Sequence, residues 1–267
     1  MTELLHSMFL GFVQGATEFL PVSSSGHLAL LELFFGVESD IILLNVLLHA
    51  GTLAAICLYY RKSLLGIART GLGLLRPGSP DSAGAGREDR ALIVNILAAD
   101  FVTGCVALLL YGPVETISTQ GRTIGALLVI TAVLLAMTPM LHASRGRLTW
   151  KHALLIGFFQ GIAVLPGISR SGATIFAALL FLSDRKEAVR FSFLIAVPVL
   201  FGALVLEAVK EFDEIAGNLL LYIPGAAVAF VSGWIFLCAI EKITVGRRLH
   251  WFAFYLVPVG LALAFIA

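Results

Sequence analysis

The amino-acid sequence predicts an all-α polytopic membrane protein with six transmembrane helices, two re-entrant helix–loop–helix hairpins and an inverted-topology repeat. Three observations lead to this prediction. The chain is 59% hydrophobic and 13% charged, whereas a soluble domain carries roughly 25% charged residues. Most of the charged residues lie at the ends of long apolar runs. Two of the apolar stretches resemble each other, and a short polar segment interrupts each of them.

Six apolar runs are long enough to cross a bilayer, which takes about 20 helical residues. Two further stretches are apolar but contain a break, and the pieces beside each break are too short for two comfortable crossings. Such a stretch fits a hairpin that enters and leaves on one side, because non-helical backbone at that depth must be buried or line a wet cavity. The six spans are 41–60, 91–111, 122–142, 190–210, 218–240 and 249–267. The interrupted stretches are 4–35, with its break at 21–27, and 152–182, with its break at 166–172.

The charges of the connecting segments predict the orientation of the spans. Basic residues concentrate in connections that the positive-inside rule places in the cytoplasm. All six spans alternate correctly only if both interrupted stretches are re-entrant, and both termini are then external. The basic connections are 61–90, 143–151, 183–190 and 241–248, and the acidic ones are 36–40, 112–121 and 211–217. Residues 71–90 are rich in Gly, Pro and Ser, and we expect a flexible loop there.

The two interrupted stretches match each other at a constant offset of 146 residues. Each is followed by three spans, so the second copy must be inverted relative to the first. Inverted repeats place broken helices and binding sites at the repeat interface near the middle of the membrane. We predict one membrane domain over 1–267, with repeats at about 4–142 and 152–267. The identical pairs are Gly11/Gly157, Phe12/Phe158, Gln14/Gln160, Gly15/Gly161, Ser23/Ser169, Ser25/Ser171 and Gly26/Gly172.

Glu18 is the candidate functional carboxylate of the first break. It lies four residues after Gln14, so the two side chains share a helical face. An ionised carboxylate inside an apolar span costs about 2.5–3.5 kcal/mol on insertion scales, so Glu18 needs a polar cavity and a partner. A purely structural carboxylate is the alternative. The polar residues Ser23, Ser24, Ser25 and His27 follow closely, and this density favours an active site.

Arg170 is the candidate anion-binding residue of the second break, because its planar fork suits phosphate or carboxylate. Ser169, Ser171 and Thr174 surround it in the sequence, and the free amides of a new half-helix add a positive end. These groups together predict a phosphate-binding site. The alternative is that Arg170 only forms an ion pair with Glu18.

Histidine is the side chain best suited to proton transfer near neutral pH. His27 follows Ser24 and Glu18 closely, so a catalytic role is predicted for it. Asn45, His49 and Asp100 also lie within predicted spans. We expect these three to support the site or the structure.

Three motifs stand in order along the chain: QGATE at 14–18, PVSSSGH at 21–27 and PGISRSGAT at 166–174. Together they resemble the undecaprenyl-diphosphatase family, also described as the bacitracin-resistance (BacA) family. Its members carry (E/Q)xxxE, PVSSxGH and PGxSRSxxT motifs. The resemblance covers the whole chain, although these segments alone fix it.

The resemblance implies an enzyme that hydrolyses undecaprenyl diphosphate to undecaprenyl phosphate and phosphate. This reaction recycles the lipid carrier of cell-wall synthesis in the bacterial inner membrane and underlies bacitracin resistance. The resemblance further implies a divalent cation, Mg²⁺ or Ca²⁺, with Glu18 as its ligand or as an acid–base group. Ser24 would be the nucleophile assisted by His27, and Arg170 would bind the diphosphate. Gln14 is a weak metal ligand, since glutamine supplies no negative charge.

Parts of the sequence are also compatible with functions other than hydrolysis. Inverted repeats with broken helices also suit a transporter, which would flip the lipid. A channel or a purely structural protein leaves Glu18, His27 and Arg170 unexplained. The net charge of +1 and the absence of a basic patch argue against nucleic acid as a partner. A homodimer remains open, because no dimer motif stands out among the small residues.

Overall fold

The computed structural model describes residues 2–35, 42–75, 87–141, 147–210 and 212–266. Every regular element within these ranges is a helix. In chain order they are α1 (Thr2–Phe19), α2 (Ser24–Phe35), α3 (Ile42–Tyr59), α4 (Arg61–Leu75), α5 (Arg87–Ser118), α6 (Gly121–Ala136), a 3-10 turn (Thr138–Met140), α7 (Trp150–Ile162), α8 (Arg170–Leu179), α9 (Arg185–Lys210), α10 (Phe212–Val245) and α11 (Trp251–Ile266).

Four helical segments of the described chain are long and apolar enough to cross a membrane: Glu88–Val114, Gly121–Met140, Arg185–Glu207 and Tyr222–Val245. Two shorter apolar helices, Leu44–Tyr59 and Trp251–Phe265, correspond to the other predicted spans. Large apolar side chains on the outer surface are widely exposed, with Leu108 at 79% and Phe265 at 82%. Such a surface requires lipid as its solvent, so the chain is a multi-pass, all-helical membrane protein.

Both breaks begin and end earlier than predicted, the first at 20–23 instead of 21–27 and the second at 163–169 instead of 166–172. α1 ends at Phe19 and α2 begins at Ser24, while α7 ends at Ile162 and α8 begins at Arg170. The later part of each motif therefore forms the first turn of a new helix. The physical reason is capping: a serine hydroxyl immediately before each new helix accepts a first-turn amide, which starts the helix at that point.

The segment expected to be irregular, 71–90, is partly helical. Its first five residues belong to α4, and α5 already begins at Arg87. Residues 76–86 lie outside the described residues. The expectation of a loop was wrong for 71–75. The first proline of this region, Pro77, comes only after α4 has ended. The apolar side chains of Leu64 and Ile67 in α4 also pack against the core.

Small residues bring the helices of the two halves into close contact. α1 packs along α10, and α5 packs along α7. A Cβ atom added at Gly11 would overlap the carbonyl of Gly225, and one added at Gly157 would overlap the backbone of Ala99. Small residues at such crossings let backbones approach closely, which is how helices associate in membranes.

The tip of each broken stretch is the segment between its two helices, 20–23 in the first and 163–169 in the second. The first tip is anchored in the interior of the protein. Phe19, the last residue of α1, is fully buried, and its ring centroid lies 5.7 Å from that of Phe193 in α9. Ile175 of α8 is also fully buried, within the same hydrophobic cluster. This packing holds the ends of α1 and α8 together and places the motif residues beside each other.

Candidate active site

Glu18 and Arg170 form an ion pair between the two broken stretches. A guanidinium nitrogen of Arg170 lies 2.7 Å from Oε1 of Glu18, and the side chains are only 15% and 6% exposed. A charge buried this deeply is tolerated because its opposite charge lies within hydrogen-bond distance. The pair joins residues that are 152 positions apart in the sequence, and the two predicted active segments therefore form one site.

The second oxygen of Glu18 has two further donors. The amide nitrogen of Gln14 and the hydroxyl of Ser24 each donate to Oε2 at 3.1 Å. Gln14 sits one helical turn before Glu18, as the sequence spacing predicted. A carboxylate only accepts hydrogen bonds, so the NH₂ group of Gln14, and not its carbonyl, faces Glu18.

Ser24 is the hydroxyl best placed for chemistry. It lies half-buried at the start of α2 and its proton points to the Glu18 carboxylate. A carboxylate that accepts a hydroxyl proton is the arrangement that activates an oxygen nucleophile. The neighbouring Ser25 is exposed and contacts the Ser23 hydroxyl at 3.3 Å.

Ser23 and Ser169 cap the helices that follow the two breaks. The Ser23 hydroxyl accepts the amide of Gly26 at 3.3 Å, and the Ser169 hydroxyl accepts the amide of Gly172 at 3.2 Å. Ser23 has a left-handed backbone with φ of 68°, a conformation that costs about 1–3 kcal/mol for a non-glycine residue. The cap and its surrounding contacts hold it there.

Hydrogen bonds also fasten the two tips to each other. The amide of Gly167 donates to the Ser23 hydroxyl at 3.2 Å, and the Ser171 hydroxyl donates to the carbonyl of Leu20 at 3.2 Å. The hydroxyl of Thr131, in α6, donates to the Gly167 carbonyl and accepts the amide of Ser169. Thr131 was not among the predicted site residues, because a lone threonine in an apolar span carries no distinguishing pattern.

Thr174, predicted to bind substrate, lies behind the site. It is 1% exposed, its hydroxyl donates to the carbonyl of Arg170 at 2.8 Å, and it contacts the hydroxyl of Ser192. Ser171 is likewise 2% exposed. Both side chains contact the backbone that carries the site, and neither lines the cavity described next.

The ion pair lines a polar cavity of about 160 Å³. Its lining residues are Thr17, Glu18, Ser23, Ser24, Ser25, His49, Ala163, Ile168, Ser169 and Arg170. His49 was expected to play a supporting part, yet it lies on the cavity wall beside the predicted residues. The four-residue spacing of Asn45 and His49 in an apolar span was the available signal.

His27 lines a different cavity from Glu18 and Ser24. Its Nδ1 is 2.9 Å from the carbonyl of Ser23, and its Nε2 is 2.7 Å from the hydroxyl of Tyr255. It lines a second, apolar cavity of about 510 Å³ between the first tip and α11. Thr17 borders both cavities. The predicted catalytic role of His27 stays a prediction.

Comparison with known proteins shows the family to which the chain belongs. The family model described as "Bacitracin resistance protein BacA" matches residues 7–262. The chain belongs to the BacA family. It is 40% identical to the undecaprenyl-diphosphatase of Treponema denticola over 98% of this chain and 97% of that one. It is also 38% identical to that of Korarchaeum cryptofilum (98% and 98%) and 35% identical to that of Rhodopirellula baltica (98% and 97%).

This BacA-family chain has a second polar cluster away from the cavity. Gln160, the repeat counterpart of Gln14, donates to Asp100 at 3.3 Å and to Thr103 at 3.2 Å. Gln160 is 1% exposed. Asp100 thus has a hydrogen-bond partner in α7, and its supporting role stays a prediction.

The cavity offers few side-chain ligands to a divalent cation. Within the described ranges, no three His, Cys, Asp or Glu side chains come together. Among the described residues, Glu18 is the one carboxylate on the cavity wall, and Gln14 turns its nitrogen toward it. Mg²⁺ is often held by one or two carboxylates together with substrate phosphates. The residues therefore fit a cation that arrives with a phosphorylated substrate.

Proposed function

We propose that this protein hydrolyses undecaprenyl diphosphate to undecaprenyl phosphate and phosphate, which recycles the lipid carrier for cell-wall synthesis and supports bacitracin resistance. The observation that carries the proposal is the placement of Arg170, Glu18 and Ser24 around one polar cavity inside an apolar protein. A diphosphate needs a cationic partner and an activated oxygen, and its long apolar chain needs a protein embedded in lipid. Membership of the BacA family agrees with this.

Each polar residue has a distinct task in this reaction. Arg170 binds the diphosphate through its fork, since a guanidinium can exchange a carboxylate partner for a phosphate. Ser24 attacks the terminal phosphorus, the bond to the polyprenyl phosphate breaks, and the Ser24 proton passes to Glu18. Ser23 and Ser169 line the same cavity while capping their helices. Charge stabilisation of this kind is the main requirement of phosphoryl transfer.

A divalent cation, Mg²⁺ or Ca²⁺, is part of the proposal. Glu18 would be its protein ligand, with Gln14 contributing only if its amide reverses. Such a cation supplies neutralisation of the charge that develops on the phosphate oxygens.

We propose six spans and two re-entrant hairpins as the topology. A cavity of about 520 Å³ supports the second hairpin, because it is lined both by Arg147 and Leu148, before α7, and by Ser183 and Asp184, after α8. An ion pair of 3.1 Å between Lys186 and Glu241 places the start of α9 beside the end of α10. The described parts of the basic connections 143–151, 183–190 and 241–248 thus lie at one end of the molecule.

Matching contacts in the two halves support the inverted repeat. Gly15 packs on the backbone of Ala229, and its counterpart Gly161 packs near Thr103. The hydroxyls of Ser23 and Ser25 lie 3.3 Å apart, and those of their counterparts Ser169 and Ser171 lie 3.2 Å apart. Helix α1 with α10 thus mirrors α7 with α5.

Orientation follows from the charges. With the basic end in the cytoplasm, both termini are external and the protein spans the bacterial inner membrane. The whole chain forms a single membrane domain in this proposal. A homodimer is compatible with it, but the site requires residues from one chain alone.

Phosphate release in detergent tests the proposed function, because sidedness is lost there. The purified protein is expected to release phosphate from undecaprenyl or farnesyl diphosphate, and a chelator is expected to suppress the release. Ser24→Ala is expected to lose at least about 100-fold in kcat, while Ser183→Ala, at an exposed serine outside that cavity, serves as the control. No phosphate release from folded wild-type protein would favour lipid transport instead. Normal turnover by Ser24→Ala would show that Ser24 is not the nucleophile.

A further inference from the structure

His49, in α3, lines the polar cavity together with residues from both broken stretches. His49 lies outside the three motifs at 14–18, 21–27 and 166–174. Its surroundings can be compared directly with those of His27, the histidine that the sequence favoured.

The tautomer of each histidine follows from its carbonyl partner. Nδ1 of His49 lies 2.9 Å from the carbonyl of Asn45, and a carbonyl only accepts, so this nitrogen carries the proton. The lone pair of neutral His49 is then on Nε2, the ring nitrogen farther from its own helix backbone. An imidazole fixed in this way is oriented as a proton acceptor.

His27 is held differently. Its Nδ1 donates to the carbonyl of Ser23, and its Nε2 therefore accepts the hydroxyl proton of Tyr255. Its ring also stacks on that of Tyr255, with centroids 5.6 Å apart. Both nitrogens are engaged, and His27 lines the apolar cavity.

Among the residues that the structure describes, the titratable side chains that line the cavity are Glu18, His49 and Arg170. Arginine stays protonated in proteins. Oε2 of Glu18 already accepts hydrogen bonds from Gln14 and Ser24, so Glu18 is committed to Ser24 and His49 is the acceptor left for water.

We propose that His49 is a catalytic base for the second half of the reaction, the hydrolysis of phosphorylated Ser24. The water oxygen forms a bond to phosphorus, and the bond between phosphorus and Oγ of Ser24 breaks. The water proton passes to Nε2 of His49, and Glu18 returns its proton to Ser24. His49 then releases its proton to bulk water. This inference rests on the proposed function and names a further residue of the same site.

The test compares His49→Gln, His49→Ala and His27→Asn in detergent, with farnesyl diphosphate as substrate. His152→Gln is the matched control, because His152 accepts an amide in a capping box and glutamine also suits that position. We expect His49→Gln to lower kcat about 100-fold or more, with KM changing less than about threefold. Phosphorylated Ser24 accumulates in this variant and is detected by peptide mass spectrometry. Free imidazole restores part of the activity of His49→Ala, which also shows that this variant is folded.

Three results would overturn the inference. One is a kcat for His49→Gln within about threefold of wild type. Another is a low kcat without phosphorylated Ser24 or rescue by imidazole, which would make His49 a positioning residue. The third is phosphoserine accumulation in His27→Asn and not in His49→Gln. A wild-type protein that releases no phosphate is a separate outcome, since it contradicts the proposed function itself.

Discussion

The Ser23 hydroxyl accepts the backbone amide of Gly167, 144 residues further along the chain, at 3.2 Å. The same hydroxyl caps α2 through Gly26. One oxygen thus fixes the start of a helix and joins the two tips around the ion pair. The geometry of the site depends on this junction as much as on the charged residues.

Ser23→Ala is expected to destabilise the protein more than Ser169→Ala. A lost serine cap costs about 1 kcal/mol, but Ser23 accepts two amides, and its loss leaves the Gly167 amide buried without this acceptor. Thermal unfolding in detergent, followed by circular dichroism, measures the difference. Ser118→Ala, at the end of α5, serves as a control on an unrelated helix end. Equal melting temperatures for the two cap variants would contradict the double role of Ser23.

Gly167→Ala is expected to reduce both folded yield and activity. Gly167 has φ of +101°, where a side chain is strained, and a Cβ atom would approach the side chain of Leu127 to 2.8 Å. Gly202→Ala is the matched control, because its Cβ would meet nothing within 4 Å. The measurements are the monodisperse fraction after purification and the rate of phosphate release. A normal yield and rate for Gly167→Ala would show that the tip tolerates a different backbone.

Arg170→Gln is expected to destabilise the protein by about 3–5 kcal/mol, because it leaves the buried Glu18 carboxylate without its cation. Arg147→Gln provides the comparison. Arg147 pairs with Glu88 at 3.6 Å, but both side chains are more than 80% exposed, and such pairs contribute about 1 kcal/mol or less. Denaturation in detergent measures both. Equal stability of the two variants would mean that water screens the Glu18 site in solution.

Cysteine labelling tests the second hairpin. The background variant replaces Cys57, Cys105 and Cys238, the free cysteines of the described chain. Single cysteines at Trp150 and Ser183, on either side of α7 and α8, are expected to react with a membrane-impermeant thiol reagent only after the cytoplasmic face is opened. Labelling of the two positions from opposite sides would show that the stretch crosses the membrane.

The sequence identified the two charged residues, the polar breaks and the helical, apolar character of the chain, while the ion pair was the alternative to a phosphate-binding Arg170. Glu18 and Arg170 stand out because charges are costly inside an apolar run, and the spacing of Gln14 and Glu18 gives their contact directly. Helix boundaries were less accurate: α4 extends through Gly71 and Gly73 because its apolar face packs on the core, and packing overrides local propensity.

The individual hydroxyls could not be assigned from the sequence. Ser23, Ser24 and Ser25 are neighbours of the same type, yet one caps a helix, one donates to Glu18 and one is exposed. The roles of His27 and His49 depend on where their rings point, which follows from contacts with Tyr255 and Asn45. The contact with Tyr255 has no local sequence signal, since it joins residues 228 positions apart.

The most direct measurement of the central claim is kcat/KM for phosphate release by Glu18→Gln, Arg170→Gln and the double variant, with Glu88→Gln as the control. Residues that act as one unit give strongly non-additive losses. We predict that each single variant loses at least about 100-fold, that the double variant loses little more, and that Glu88→Gln equals wild type. Activity within about twofold of wild type in either single variant would contradict a single active site built from both hairpins.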